Sequence, residues 1–321
     1  MENFWIKLKK KNNNQPILCL APMADVTDPA FRKIIIKYGK PDVLWTEFVS
    51  ADGLVLAPEK GKKILLENLK YTKTEKPIVA QIFGSSPKNI RKAAKIIQDL
   101  GFDGLDINMG CPDRKIEKQN SGAAMIKNPV LAQKIIKSAQ KGAPQIPVSV
   151  KIRLGYNTDQ LEEWLQTILM ANPVVIIIHA RTRKEMSKVP AKWFRVKRAV
   201  EIRDEMKSKT LIVGNGDISS IEDANLKYKE TGCDGVMVGR GILGNPWFFS
   251  GKIPTTRQKL EVLVEHSKLF QKLLPNRNFA VMKKHFKAYV SGFDGSKELR
   301  LELMKTNNSE EVQAIVRDFL K

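Results

Sequence analysis

Long apolar segments are absent from this sequence of 321 residues. Its longest apolar runs, such as residues 174–178, fall far short of the roughly 20 residues that a membrane-spanning helix needs. The first residues also lack the apolar core that a signal peptide requires. We therefore expect no membrane span and no export, and we predict a cytoplasmic protein.

Cysteine is scarce, with three residues in the whole chain. Cys19, Cys111 and Cys233 do not have the spacing of metal ligands, and their odd number does not suit a disulfide framework. The cysteine pattern therefore indicates a reducing compartment, and we expect no bound metal.

Acidic residues are outnumbered, with 34 against 55 basic residues and a formal net charge of +21 at pH 7. The basic excess is spread along the chain rather than confined to one arm. A charge of this size attracts polyanions and steers their approach, so nucleic acid is the obvious partner. A genome of biased base content would also enrich lysine and asparagine, so composition alone leaves both explanations open.

Short β-rich runs recur along the chain, with helix-like segments between them. Most runs are apolar on both faces, as in parallel strands that are covered by helices. A doubly wound open sheet is the rival architecture, but the first run leads into Ala21-Pro22-Met23 instead of a glycine-rich phosphate loop. Eight units in about 240 residues favour a (β/α)8 TIM barrel, and its predicted strands are residues 16–20, 42–46, 77–82, 102–107, 147–152, 173–178, 210–213 and 234–238.

The pattern changes close to residue 251, after which apolar positions repeat at helical spacing with no strand between them. We therefore predict a barrel domain over residues 1–250 and a small C-terminal helical domain over residues 251–321. The helices expected in the second domain are residues 260–274, 282–290, 298–304 and 310–320.

Polar or backbone-permissive residues follow all eight predicted strands. In TIM barrels the loops after the strands meet at one face, and the catalytic groups lie there. Eight coincident placements predict a large active site at this face. The residues at these positions are Pro22, Met23, Ala24, Glu47, Gln81, Asn108, Cys111, Lys151, Arg153, His179, Arg181, Asn215, Gly216, Asp217, Gly239 and Arg240.

The seventh and eighth strands end in glycine turns. Backbone amides of such turns bind phosphate, and Arg240 and the N-terminus of a short following helix would add to this site. Tight turns without a ligand would need the same glycines. Lys151 ends an apolar strand and would carry a cation to the barrel mouth, where it could hold the negative charge of a reduced flavin. Gln81 suits the edge of a flavin or a pyrimidine, whereas a lone His179 is as often structural.

Cys111 lies on the loop after the fourth strand, between Gly110 and Pro112. A turn of this kind is too polar for a packing role, which suits Cys19 and Cys233 better. An exposed loop thiol serves as a nucleophile or as a general acid.

Several strings resemble the tRNA-dihydrouridine synthase family. The most specific is Asp106-Ile107-Asn108-Met109-Gly110-Cys111-Pro112, and residues 21–24, 150–155, 179–183, 215–218 and 238–241 are similar to the family in the same order. The resemblance continues into the tail at residues 284–287 and 292–295. It implies an enzyme that reduces the C5=C6 bond of a tRNA uridine, with FMN as cofactor and NADPH as reductant.

The resemblance also implies roles for individual residues. Cys111 would donate a proton to C5, and Asn108 would face the uridine. Arg181, placed among the substrate-binding residues, would hold either phosphate or tRNA, and Glu47 would take a polar or an ion-pair role. The oligomeric state is open, with a monomer as the working expectation. FMN would contact Pro22, Met23, Ala24, Gln81, Lys151, His179, Asn215, Gly216, Asp217, Gly239 and Arg240.

Two alternatives remain open. An FMN barrel acting on a free pyrimidine, similar to dihydroorotate dehydrogenase, would share the phosphate turns. An RNA-binding barrel without catalysis is a second possibility, but it would not need Cys111 and Lys151. Which uridine is modified and which nicotinamide is used are not encoded in these motifs.

Overall fold

Eight parallel strands form the centre of the molecule in the computed structural model, which describes residues 2–321. Each strand overlaps one of the eight predicted runs. The strands are β1 Ile17–Leu20, β2 Leu44–Ser50, β3 Ile78–Phe83, β4 Gly104–Met109, β5 Val148–Arg153, β6 Val175–His179, β7 Leu211–Asn215 and β8 Gly235–Val238.

The strands pair in chain order, and β8 pairs with β1. The ring is completed where Cys19 bridges to Val43, directly before β2, and the Leu20 amide donates to the Val43 carbonyl at 3.0 Å. The fold is therefore the predicted TIM barrel. The doubly wound alternative is wrong, because such a sheet places its first strand inside and does not pair it with the last.

Fourteen α-helices occur in residues 2–321, and none of them is long and apolar enough to cross a lipid bilayer. Ser86 caps α5 by accepting from the Asn89 amide, and Gly232 ends α10 with φ of 67°. The helices are α1 Phe4–Asn12, α2 Pro29–Gly39, α3 Ala51–Leu56, α4 Glu59–Asn68, α5 Pro87–Asp99, α6 Arg114–Glu117, α7 Pro129–Gly142, α8 Leu161–Leu169, α9 Trp193–Glu205, α10 Ile221–Thr231, α11 Thr256–Leu273, α12 Lys283–Tyr289, α13 Ser296–Leu303 and α14 Ser309–Phe319.

Helix α1 has no counterpart among the predicted elements. Its Trp5 is buried against Trp45, with ring centroids 5.7 Å apart. Both rings belong to the apolar cluster that fills the barrel interior, and Lys9 of α1 pairs with Asp234, immediately before β8. Helix α1 therefore closes the N-terminal end of the barrel. The C-terminal end, where the loops after the strands meet, is left open for a site.

The four C-terminal helices share one apolar cluster with the barrel. Phe270, Phe286 and Tyr289 pack in it together with Ala30 and Ile34 of α2. The helical segment is present as predicted, and its core is continuous with the outer face of α2. This packing fixes the tail beside the loops that follow β1 and β2.

Candidate active site

A cavity of about 590 Å³ opens at the C-terminal ends of the strands, a size typical of small-molecule sites. Of the predicted site residues, Glu47 and the exposed Ala24 do not line it. No group of His, Cys, Asp and Glu within residues 2–321 is arranged to hold a metal ion. The predicted residues in the cavity wall are Pro22, Met23, Gln81, Asn108, Cys111, Lys151, Arg153, His179, Arg181, Asn215, Gly216, Asp217, Gly239 and Arg240.

A chain of buried polar side chains lies at the base of the cavity. Asp106 accepts hydrogen bonds from Gln81 Nε2 at 2.6 Å and from Ser149 Oγ at 2.5 Å. Gln81 Oε1 accepts from Asn108 Nδ2 at 2.9 Å. Two donors fit an ionised carboxylate, although burial raises the pKa of Asp106 to about 6. The carboxylate therefore fixes which end of each amide faces the cavity.

Asn108 also holds the loop that carries Cys111. Its Oδ1 accepts from the amides of Gly110 at 3.1 Å and Cys111 at 2.9 Å. The Cys111 carbonyl accepts from the Ala123 amide at 2.9 Å. A Cβ at Gly122 would lie 2.7 Å from the same carbonyl, so glycine is required there. Asn108 thus has one N–H left for a ligand.

The Cys111 thiol is half-buried, whereas Cys19 and Cys233 lie in the core, as predicted for packing residues. Burial raises the pKa of the Cys111 thiol above its ordinary value. The sulfur therefore keeps its proton at neutral pH. A protonated thiol on a cavity wall suits a general acid better than a nucleophile.

Lys151 crosses the cavity wall from β5 to β7. Its Nζ donates to Asn215 Oδ1 at 2.9 Å, and Asn215 Nδ2 donates to the Met237 carbonyl at 2.8 Å. Burial is the main cause that lowers the pKa of Lys151 to about 8. The amine is still mostly protonated at neutral pH, so a cation is fixed at the barrel mouth.

Asp217 lies between two guanidinium groups. Its carboxylate accepts from Arg181 and, at 3.0 Å, from Arg240. Arg181 is buried, donates to the Val189 carbonyl at 2.5 Å and approaches His179 Nε2 at 3.4 Å. Burial, together with the nearby cations, holds the pKa of His179 well below its ordinary value, so the ring is neutral. Arg181 therefore organises this wall, and Arg240 remains largely exposed.

The glycine turns after β7 and β8 form the rim. Gly216 has φ of 138°, and a Cβ there would lie 2.7 Å from Ala191 Cβ. At Gly239 a Cβ would meet no atom closer than 3.8 Å, so a side chain would occupy the cavity itself. The short helix expected after β8 is a single 3-10 turn, Arg240–Ile242. The groups available to an anion at this rim are therefore backbone amides and the Arg240 side chain.

Glu47 does not line the cavity. Strand β2 continues beyond the predicted end, with a register shift between Trp45 and Phe48, and Phe48 lines the cavity instead. Glu47 accepts from Arg277 Nη1 at 2.9 Å and from the Asp25 amide at 2.5 Å. Glu47 therefore forms an ion pair that joins the barrel to the segment after α11.

A family model described as dihydrouridine synthase matches residues 19–321. The chain belongs to the dihydrouridine synthase family. A Bacillus subtilis (strain 168) relative named probable tRNA-dihydrouridine synthase 2 is 39% identical over 323 residues, covering 99% of this chain and 97% of the relative. A Staphylococcus aureus (strain COL) relative named probable tRNA-dihydrouridine synthase is 38% identical over 324 residues, covering 99% of this chain and 96% of the relative.

Solved structures of lower identity share the fold. Histamine dehydrogenase from Rhizobium sp. 4-9 has a TM-score of 0.56 at 13% identity, covering 79% of this chain and 49% of that one. A 2-naphthoyl-CoA reductase complex has a TM-score of 0.55 at 11% identity, covering 73% of this chain and 49% of that one. At these identities the likeness shows the barrel fold alone.

Several residues of the site have no role predicted from the sequence. Asp106 stands in a string that resembles the family, and the sequence places Arg153 at this face of the barrel without a role. The partners of both residues lie on other strands and loops. Phe48 reaches the cavity through the shift in β2, which has no local sequence signal. The other lining residues without a predicted role are Ala21, Gly110, Pro112, Ile152, Ser187, Ile218, Ser219 and Gly241.

Proposed function

We propose that this protein is a tRNA-dihydrouridine synthase that binds FMN and reduces the C5=C6 bond of a uridine in tRNA. One observation carries the proposal: the protonated Cys111 thiol and a strongly cationic wall face the same cavity. Family membership and the names of the relatives support the same reaction.

The cavity wall fits an anionic flavin nucleotide. It contains the cations Lys151, Arg153, Arg181 and Arg240 against the single carboxylate of Asp217. The open space over Gly239 allows a ligand to approach the backbone closely. When bound, FMN would supply the hydride that C6 of uracil accepts. The residues that would hold it are Pro22, Met23, Gln81, Lys151, His179, Asn215, Gly216, Asp217, Gly239 and Arg240.

The protein's own chemical contribution is a proton. The C5=C6 bond of uracil is conjugated to the C4 carbonyl, so addition of hydride at C6 requires a proton at C5. Cys111 keeps its proton at neutral pH and would donate it to C5. The free N–H of Asn108 would hold the base, and Arg181 would contact the substrate or keep Asp217 and His179 in place for it.

The whole RNA would bind around the barrel mouth. A stacked uridine does not reach a cavity of this kind, so the nucleotide would turn out of the RNA and enter it. Residues 251–321 would form a helical tRNA-binding domain beside the barrel of residues 1–250. We propose NADPH as the reductant, and the cytoplasm as the location because the mechanism needs a reduced Cys111 thiol.

The decisive variant is Cys111→Ala. General acids contribute about 10²- to 10⁴-fold, so we expect dihydrouridine formation to fall at least about 100-fold while FMN stays bound. The assay uses the FMN-loaded protein and NADPH, with tRNA from cells that lack this gene, and dihydrouridine is counted by mass spectrometry. Cys233→Ala, which removes a core thiol, is the matched control and keeps its activity.

Two results would contradict the proposal. Near wild-type tRNA reduction by Cys111→Ala would remove the acid role. Turnover of free uracil or dihydroorotate at a rate equal to that of tRNA would favour the free-pyrimidine alternative.

A further inference from the structure

Arg153 at the end of β5 is buried, and its hydrogen bonds go to backbone carbonyls. Its Nε donates to the Gly110 carbonyl at 2.8 Å. Its Nη1 donates to the carbonyls of Thr182 at 3.0 Å and Met186 at 3.1 Å. Within residues 2–321 no carboxylate lies within 4.0 Å of the guanidinium nitrogens of Arg153. Arg181 differs, because its guanidinium forms an ion pair with Asp217.

A buried guanidinium normally has a carboxylate partner, because burying a charge is costly. Carbonyl oxygens accept from Nε and Nη1 of Arg153, but none of these partners carries a negative charge. Burial lowers the pKa of Arg153 to about 10, so it stays charged at neutral pH. The cavity wall therefore contains a cation whose charge is available to another group.

That group is next to Gly110. The Gly110 carbonyl and the Cys111 amide belong to the same peptide group, and Arg153 holds one end while Asn108 holds the other. Gly110 also lies against β5, where a Cβ would be 3.3 Å from the Ile152 carbonyl carbon. The position of Cys111 relative to β5 is thus set by two side chains from neighbouring strands.

We infer that Arg153 is a positioning residue that holds the Cys111 loop and stabilises the thiolate left after proton transfer. The inference rests on the proposed function. In that step the S–H bond of Cys111 breaks, a C–H bond forms at C5 of uracil, and the negative charge stays on sulfur. Water then returns the proton to the thiolate before the next turnover.

The test measures the thiol directly, without RNA. The rate of Cys111 alkylation by iodoacetamide is followed from pH 6 to 10 in the FMN-loaded protein. Arg153→Gln keeps a hydrogen-bond donor but removes the charge, and Arg153→Lys keeps a charge. An opposite charge close by lowers a pKa by about one unit or more, so Arg153→Gln alkylates about tenfold more slowly at pH 7.5, and Arg153→Lys recovers most of the rate.

Two proteins complete the alkylation experiment. Cys111→Ala gives the background, which is small because Cys19 and Cys233 are buried. Arg198→Gln removes a cation that is paired with Glu201 and Glu205 on α9 and does not line the cavity, so it alkylates at the wild-type rate.

Steady-state kinetics on tRNA supply the second readout. Arg153→Gln lowers kcat with KM for tRNA nearly unchanged, because the interaction is made after the substrate binds. Alkylation of Arg153→Gln at the wild-type rate in an enzyme that reduces tRNA would overturn the inference and leave the proposed function intact. A slower alkylation in a protein that never reduces tRNA would instead overturn the proposed function, while the effect of Arg153 on the thiol stands.

Discussion

At the scale of single residues, the site depends on the orientation of amide side chains. Gln81 and Asn108 each have a donor end and an acceptor end, and a flip of either would reverse what the cavity offers to a ligand. The ionised Asp106 prevents the flip because its carboxylate can only accept hydrogen bonds, so the NH2 end of Gln81 must face it. Asp106 is thus as important to the site as the residues that line it.

Asp106→Asn tests this dependence. In this variant an NH2 group replaces one of the two carboxylate oxygens that accept from Gln81 and Ser149. An unpaired buried donor costs about 1–3 kcal/mol. We therefore expect FMN affinity at pH 7.5 to fall roughly tenfold. Wild-type Asp106 is itself protonated as pH falls through about 6. The ratio of wild-type to variant affinity therefore approaches one below pH 6, and titration of the FMN phosphate cancels in this ratio.

Quenching of flavin fluorescence gives both affinities. Asp103→Asn is the control, because Asp103 binds the Ile78 amide near the opposite end of the barrel. A ratio that stays constant from pH 5 to 7.5 would show that Asp106 does not set the orientation of Gln81.

At the scale of elements, the contact of α2 with α11 and α12 contains an unusual pair of histidines. His266 and His285 are fully buried, with ring centroids 4.6 Å apart, and their ring nitrogens have no hydrogen-bond partner in the part of the chain that the structure describes. Phe31 of α2 packs against both rings. Burial lowers the pKa of His285 to about 3 and that of His266 well below its ordinary value.

These histidines predict a dependence of stability on pH. Because the unfolded chain binds a proton at His285 below about pH 6.5 and the folded chain does so only near pH 3, stability is present above pH 6.5 and is lost as pH falls towards 3. In this range each histidine lowers the free energy of unfolding by about 1.4 kcal/mol for every unit by which the pH falls. Urea unfolding of His285→Gln between pH 7.5 and 5 should therefore show a dependence that is weaker by this amount.

His266→Gln is expected to behave in the same way, and groups that titrate elsewhere cancel in each comparison with the wild type. Wild-type and variant stabilities that fall in parallel between pH 6.5 and 5 would contradict the prediction.

The elements were largely predictable from local sequence, because strands buried on both faces are continuous apolar runs. Cys111 was also predictable, since Gly110 and Pro112 place it in a turn. Contacts between residues distant in sequence were not. Glu47 pairs with Arg277, Arg153 reaches Met186, and α1 closes the barrel through Trp5, none of which has a periodic or local signal.

At the scale of the whole molecule, the net charge of +21 and the attached helices would act together on an RNA. The tail shares its core with α2, so its cations keep a fixed place beside the barrel mouth. Phosphate contacts made by such cations release counter-ions, and the affinity falls as salt rises.

A double substitution of Lys283 and Lys287 by Ala tests the role of the tail. Both residues stand on α12, one turn apart, and its buried face is formed by His285, Phe286 and Tyr289. Each lost phosphate contact reduces the slope of log affinity against log salt by about one. We expect a shallower slope for tRNA binding, measured by filter binding between 50 and 300 mM KCl.

The matched control replaces Lys10 and Lys11 of α1, at the closed end of the barrel, with the same change in net charge. Equal loss of slope in both double variants would mean that charge acts without regard to place, and would remove the tRNA-binding role of the tail.

Trp5 and Trp45, buried at the N-terminal end of the barrel, have a consequence for the order in which substrates bind. These two rings block access to the cavity from that end. In the part of the chain that the structure describes, residues 2–321, ligands therefore enter at the rim. Under the proposed function, a nicotinamide and a tRNA would both reach the cavity through this opening. The two would have to bind one after the other, and the flavin would have to stay reduced between the departure of the nicotinamide and the binding of the tRNA.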